Sequence, residues 1–200
     1  MAVAVRKTDA SGALLAAWPE PADEAPWAGA ARALAARRFI EMGAPIRRDE
    51  YWRFTDPAGL TTAAAAPAKV LPGDEAFADA RGARLVFVDG VFAPDRSDAL
   101  DAAGVEIQTL GAALGTDIHW ARDLLGVLEA RGQHPVDRPL AALNTARAIE
   151  GLVIRVSGTA PAPIRLIYLR ERPEADAMVR HLIRLEAGAQ TIAVTVREHA

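Results

Sequence analysis

The first 70 residues are rich in alanine, and their apolar side chains recur at helical spacing. The clearest element begins at Pro26, because proline suits the first helical position and an acidic pair precedes it. Gly43 and Pro45 predict where it ends. A helix is therefore predicted over Pro26–Met42, with a shorter one around Ser11–Trp18. The residues expected on the buried face of the longer helix are Trp27, Ala31, Leu34 and Met42, with Phe39 at the margin.

Residues 83–118 change to the alternating pattern of strands. Asp89-Gly90 lies between two short apolar runs, and this dipeptide accepts the positive φ angles of a two-residue hairpin turn. A further strand is predicted over Gly104–Leu110. Two helices are expected after it: one capped by Asp117 and continuing to Arg131, and one over Leu140–Ile149.

After Gly151 four strand-like runs follow one another without an intervening helix: Leu152–Val156, Ile164–Arg170, Met178–Glu186 and Thr191–Arg197. Their period is two. In the third run Val179, His181, Ile183 and Leu185 are expected on one face, and Arg180, Leu182, Arg184 and Glu186 on the other. Such a series fits a β-meander or the coils of a β-solenoid. The last run has nothing after it to pair with, so we expect a fold that is incomplete or that another chain completes.

These three textures predict an α+β protein with three parts. They are a helical N-terminal region at residues 1–72, a small mixed α/β unit at residues 73–150, and a strand-rich core that begins at residue 151.

Composition narrows the classes of function. Lys and Arg total 23 against 26 Asp and Glu, for a formal net charge of −3, which gives no reason to expect a nucleic acid or an anionic membrane as partner. The sequence has no cysteine, so this chain cannot itself supply a thiolate nucleophile or a cysteine-ligated cluster. Neither a secretory signal nor an apolar run long enough to span a membrane is recognisable. A soluble, cytoplasmic protein is expected.

Two groups of residues could carry chemistry. One is a dense charged cluster made of Arg47, Arg48, Asp49, Glu50, Arg53 and Asp56. Because nothing in the sequence indicates a cleft that would perturb these carboxylates, we interpret the cluster as a structural network of ion pairs and caps around Trp52 and Phe54. The other group is the four histidines, His119, His134, His181 and His199, which lack the spacing of a metal site. His181 is expected to be a hydrogen-bonded core residue.

Several segments resemble the SufD branch of the SufB/SufD family of iron–sulfur cluster assembly proteins. Pro45–Asp56 (PIRRDEYWRFTD) resembles the family signature P-x-R-x-E-x-W-R-[YF]-T-D, and Leu85–Phe92 is similar to its hairpin. Pro139–Ala146 followed by Glu150–Ile154 is similar to the family's LNtAf…dG passage. Pro163–Tyr168 and Arg184–Ala189 resemble the opening coils of the family's β-helix. The matches occur in the family's order across nearly the whole chain.

The resemblance implies a helical N-terminal region, a mixed unit and the first coils of a right-handed parallel β-helix. Family members are about twice as long, so the chain is expected to correspond to their front half. The implied function is that of a non-catalytic scaffold subunit with SufB-like and SufC-like partners, in a complex that handles an iron–sulfur cluster. The resemblance implies no catalytic, cofactor-binding or metal-ligating residue within this chain, and an exposed β-helix edge could also support a homo-oligomer.

Two other functions stay open at this point. A small carbohydrate-acting β-helix enzyme would need carboxylates at a common offset along its strands, and the strands here carry Arg165, Arg180, Arg184 and Glu186 without such a pair. A free-standing binding module could use residues 83–132 as its recognition surface, if that region contains an apolar pocket of ligand size.

Overall fold

The computed structural model describes residues 10–62, 67–70, 81–131, 136–190 and 194–198. The chain divides into two compact units, one from residues 1–65 and 114–148 and the other from residues 66–113 and 149–200. Helices and two small mixed sheets confirm the predicted α+β class. The three-part division at residues 72 and 150 stays a prediction.

Residues 10–16 are helical, close to the helix predicted around Ser11–Trp18. The remaining elements, in chain order, are α1 (Pro26–Met42), a 3-10 helix (Glu50–Trp52), α2 (Ala58–Thr61), β1 (Ala83–Val88), β2 (Val91–Phe92), a 3-10 helix (Pro94–Arg96), β3 (Asp101–Ala102), β4 (Val105–Thr109), α3 (Leu110–Leu114), a 3-10 helix (Trp120–Asp123), α4 (Val127–Arg131), α5 (Pro139–Arg147), β5 (Leu152–Val156), β6 (Ile164–Leu169), β7 (Leu182–Leu185) and β8 (Val194–Glu198).

Helix α1 begins and ends where the sequence predicts, with proline in its first turn and Gly43 at its C-cap with φ 75°. Its predicted face is wrong. The buried residues are Ala28, Arg32, Ala35 and Phe39, whereas Leu34 is 50% exposed. Arg32 can be buried because Glu24 and the carbonyl oxygen of Thr145 accept its hydrogen bonds, and these partners cannot be found from periodicity.

The helix predicted over Asp117–Arg131 is also wrong. The chain forms the 3-10 helix Trp120–Asp123 and then the separate helix α4, because Gly126 adopts φ 75° between them. The N-cap is His119 rather than Asp117: its Nδ1 accepts a hydrogen bond from the backbone N–H of Ala121 at 3.0 Å. The predicted stop at Gly132 lies outside the described residues.

The second unit contains both sheets. The first has the strand order β2-β1-β6-β8, and the second has the order β3-β4-β5-β7. The predicted hairpin is confirmed, since β1 and β2 pair antiparallel across Asp89 (φ 50°) and Gly90 (φ 84°). The strands predicted over Gly104–Leu110 and Leu152–Val156 are present as β4 and β5.

The last four strands alternate between the two sheets. β5 and β7 pair in parallel within one sheet, with Val153 beside Leu182. β6 and β8 pair in parallel within the other, with Ile164 beside Val194. The chain therefore returns to the same sheet after about 30 residues, as coils of a solenoid do. Apolar residues of β1, β4, β5 and β6 form one shared core between the sheets. Closed coils of a right-handed β-helix stay a prediction.

Candidate functional site

The candidate site is the edge of β7 that faces away from β5. In the described part of the chain, β7 is the last strand of its sheet. Residues that face the core form columns across β4, β5 and β7. In one column Ile107 is 9% exposed, Ile154 is fully buried and Ile183 is 37% exposed. In the next, Val105 and Val156 are 8% and 1% exposed, and Leu185 is 54% exposed. The columns are therefore covered at β5 and open at β7.

The alternation predicted for the third strand-like run explains this exposure. Ile183 is in register with Ile154, and Leu185 with Val156, so both continue the inward-facing columns. Leu182 lies on the opposite face and is buried. An uncovered row of core-type side chains on a strand that has a neighbouring strand on one side only, in the described part of the chain, favours the addition of another strand.

Two arginines stand next to each other on the other face of the same strands. Arg155 of β5 and Arg184 of β7 are in direct register, an arrangement that two like charges disfavour. Glu186 offsets it, because its Oε1 atom lies 2.7 Å from Nε of Arg155 and 3.0 Å from Nε of Arg184. This carboxylate therefore holds the end of β7 against β5.

His181, immediately before β7, fixes the strand from the inside. The backbone N–H of Leu152 donates to its Nδ1 at 3.0 Å, so the neutral ring carries its proton on Nε2. Nε2 lies 2.5 Å from the hydroxyl oxygen of Tyr168, to which it donates. Burial lowers the pKa of His181 to about 4, although the hydrogen bond from Leu152 opposes this. The predicted hydrogen bonding of His181 is confirmed, and its side chain is partly rather than fully buried.

Gly151 allows the backbone at the start of β5 to pass close to the backbone of Arg180. Its φ is 146°, and a Cβ atom there would lie 1.7 Å from the carbonyl oxygen of Arg180. The neighbouring Glu150 forms a parallel bridge with Val179, and the backbone N–H of Arg180 donates to the carbonyl oxygen of Glu150 at 2.9 Å. Any side chain at position 151 would push these two backbones apart and displace β7.

The charged cluster differs in part from its predicted role. The caps are confirmed: Asp49 accepts from the N–H of Ile46, and Asp56 from that of Ala58, both at 3.0 Å. The prediction of ion pairs in this cluster is wrong, because none of its arginines has a carboxylate partner among the described residues; these are Arg47, Arg48 and Arg53. Phe54 is not the centre of a network, since it is 92% exposed.

The remaining histidines form no cluster in the described part of the chain. His119 caps a 3-10 helix, whereas His134 and His199 lie outside the described residues. No group of three or more His, Cys, Asp or Glu side chains is arranged to hold a metal ion among the residues the structure describes. None of the described helices combines the length and hydropathy needed to cross a lipid bilayer.

The sequence predicts the unpaired edge on Thr191–Arg197. Among the described strands, β8 (Val194–Glu198) is the last of its sheet, and residues 191–193 lie outside the described part. The sequence pattern did not predict that β7 ends the other sheet with its core-facing residues open. The alternation of Ile183 and Leu185 was visible in the sequence, but their exposure depends on which strand lies beside β7.

No protein-family profile matches the chain. The chain is similar to the iron–sulfur cluster assembly protein SufD of Escherichia coli strain K12, with 26% identity over 131 residues. The match covers 58% of this chain and 31% of that protein, so it spans about a third of the length of the curated relative. This similarity supports a distant relationship to SufD.

Proposed function

We propose that this chain acts as a non-catalytic scaffold subunit in iron–sulfur cluster assembly, in the manner of SufD, and works by contact with other protein subunits. The observation that carries the proposal is the open end of the strand stack, where Ile183 and Leu185 continue buried columns into solvent. The partners we propose are SufB-like and SufC-like subunits, in a complex whose cargo is an iron–sulfur cluster, and the distant similarity to the iron–sulfur cluster assembly protein SufD supports this choice.

In this proposal the strands after Gly151 are the first coils of a right-handed parallel β-helix. Consecutive strands that alternate between two sheets and pair in parallel at a nearly constant offset support it. A coil added beside β7 would cover Ile183 and Leu185 and complete the hydrogen bonds of its edge. The chain needs no catalytic, cofactor-binding or metal-ligating residue for this role.

Co-purification tests the proposal. The tagged chain is co-expressed with SufB-like and SufC-like subunits of its source organism, and the retained subunits are quantified. We expect both to be retained with the unchanged chain, and the paired substitution Ile183→Asp with Leu185→Asp to reduce retention at least tenfold. Two desolvated aliphatic anchors at an interface centre account for an effect of that size.

Val91→Asp is the matched control. Val91 is 52% exposed and lies on β2, at the opposite end of the other sheet, so retention should not change. A monomeric chain that retains neither subunit would overturn the proposal. Hydrolysis of a polysaccharide by the purified chain would replace it with the carbohydrate-acting alternative.

A further inference from the structure

The edge of β1 that faces away from β6 is closed by the chain's own groups. Backbone groups alternate in direction along a strand, so those of Arg84 and Val86 point away from β6. Their N–H groups donate to Oδ2 of Asp98 at 2.7 Å and to Oγ of Ser97 at 2.9 Å. Their carbonyl oxygens accept backbone N–H groups at 2.7 and 2.8 Å. This edge therefore offers no backbone groups to a further strand.

The edge of β7 that faces away from β5 is different. The N–H of Glu186 donates to the carbonyl oxygen of Val156 on the β5 side at 2.9 Å. Because the direction alternates, the backbone groups of Ile183 and Leu185 point away from β5. In the described part of the chain, no strand of the sheet lies on that side. The residues whose side chains continue the open columns therefore also present the backbone groups that a further strand would bond.

The opposite face of β7 carries one charge of each sign. Arg184 and Glu186 flank Leu185, and the alternation of a strand places both on the same face. In an antiparallel pair of β7 strands centred on Leu185, each Arg184 is opposite Glu186 of the second copy. A pair centred on Arg184 would instead place two arginines opposite each other, and one centred on Glu186 two carboxylates. Like charges directly opposite are destabilising, so the charge order favours the register centred on Leu185.

The backbone is compatible with this register. Leu185 meets Leu185 of the second copy at a hydrogen-bonded position, because the outward backbone groups of both strands belong to this residue. Arg184 and Glu186 of the second copy then meet at a non-hydrogen-bonded position, where opposite side chains are closer. One register therefore joins the exposed leucines, the outward backbone groups and the opposite charges.

We infer that the chain self-associates through β7 into a two-fold dimer, with antiparallel β7 strands centred on Leu185. The same patch meets itself across the axis, and β1 is closed, so the pairing ends at two copies. Each copy contributes a strand of four residues, so the contact is small and the dimer dissociates on dilution. The inference does not rest on a role in cluster assembly. The second copy uses the same edge as the subunits proposed above, so the dimer forms in their absence.

Single-cysteine variants test the register, because the chain contains no cysteine of its own. After mild oxidation of the concentrated protein, Leu185→Cys should give a disulfide-linked dimer, because the paired Cα atoms are about 5.5 Å apart. Ile183→Cys is the matched control: in this register the two copies of residue 183 are four positions apart, about 13 Å. Val91→Cys, on β2, is a second control. Equal cross-linking of Leu185→Cys and Ile183→Cys would overturn the inference.

Charge reversal tests the pairing of Arg184 with Glu186. Arg184→Glu and Glu186→Arg each place like charges opposite each other, so each should raise the dissociation constant of the dimer about tenfold or more. Analytical ultracentrifugation over a concentration series measures it. An equimolar mixture of the two variants should restore the dimer, because two carboxylates of one variant then face two guanidinium groups of the other. Misfolded variants would not rescue each other in this way.

Three outcomes of the ultracentrifugation would overturn the inference: a monomer at the highest soluble concentration, assemblies larger than a dimer, or a mixture that stays monomeric. The same samples separate this inference from the proposed function. A monomer that retains SufB-like and SufC-like subunits would remove the dimer and leave the scaffold role. A dimer that follows the charge rules but retains neither subunit would do the reverse.

Discussion

The imidazole of His181 and the hydroxyl of Tyr168 join the two sheets from the inside, with Nε2 and the hydroxyl oxygen 2.5 Å apart. Tyr168 belongs to β6 of one sheet, and His181 directly precedes β7 of the other. The ring of Phe87 contacts both, stacked on Tyr168 at 5.5 Å and edge-on to His181 at 5.3 Å between centroids. Because the N–H of Leu152 donates to Nδ1, this arrangement needs the neutral form of His181, which links the start of β7 to β5 and β6.

Stability of the second unit should fall as the pH is lowered from about 6.5 to about 4. The folded pKa of His181 is lowered from 6.5 to about 4 by burial, so the unfolded chain binds the proton more readily in this range. The stabilisation is complete above pH 6.5, is lost progressively below it, and is gone below about pH 4. Its full size is on the order of 3 kcal/mol. Urea unfolding at pH 7, 6 and 5 measures it.

His181→Phe should remove that part of the pH dependence, because no proton is then taken up at this position on unfolding. His119→Asn is the control: it keeps a side-chain acceptor for the N–H of Ala121 and should retain the dependence. An equal slope in His181→Phe and in the unchanged chain would show that another group is responsible.

Gly151→Ala should destabilise the protein by about 3 kcal/mol or more, because both the positive φ and the backbone of Arg180 exclude a side chain. Gly29→Ala is the opposite case. Gly29 lies inside α1 with nothing within 4 Å of its added Cβ, so alanine should stabilise the helix by about 0.5–1 kcal/mol. Chemical denaturation of both variants checks the pair, and a tolerated Gly151→Ala would mean that β5 enters the sheet differently.

Glu24→Ala should destabilise the first unit (residues 1–65 and 114–148) by about 3 kcal/mol, because it leaves the guanidinium of Arg32 buried without its charge partner. Arg32 is 6% exposed, and its Nη2 lies 2.7 Å from Oε1 of Glu24. Replacing both residues, Glu24→Leu with Arg32→Met, should recover most of the loss. Glu20→Ala is the matched control, since the carboxylate that pairs with Arg147 is 81% exposed and contributes below about 1 kcal/mol. Equal losses from the two alanine variants would contradict a buried role for Arg32.

Local signals predicted those elements that local chemistry determines. Helix α1 begins at Pro26 and ends before Gly43, and Asp89-Gly90 forms the hairpin turn between β1 and β2. Both could be predicted because helix caps and tight turns depend on neighbouring residues. Periodicity failed at Arg32, whose burial depends on Thr145 at a distance of 113 residues in sequence. It also failed at Gly126, where one positive φ divides a predicted helix. The exposure of Ile183 and Leu185 on β7 could not be predicted for the same reason. It depends on the register between strands 29 residues apart in sequence, as between Val153 and Leu182.

Val156 and Leu185 are paired in register, but the first is buried and the second is exposed, so truncating each to alanine should have different effects on stability. Val156→Ala should lower the free energy of unfolding by about 2 kcal/mol, because it empties space in a closed core. Leu185→Ala removes a larger side chain from the same column, yet should cost below about 1 kcal/mol, because that side chain is half in solvent. Urea denaturation at two protein concentrations measures both. If Leu185→Ala costs as much as Val156→Ala, and the loss grows with concentration, a second copy of the chain already covers the column in solution. The face proposed for SufB-like and SufC-like partners would then be occupied by the chain itself.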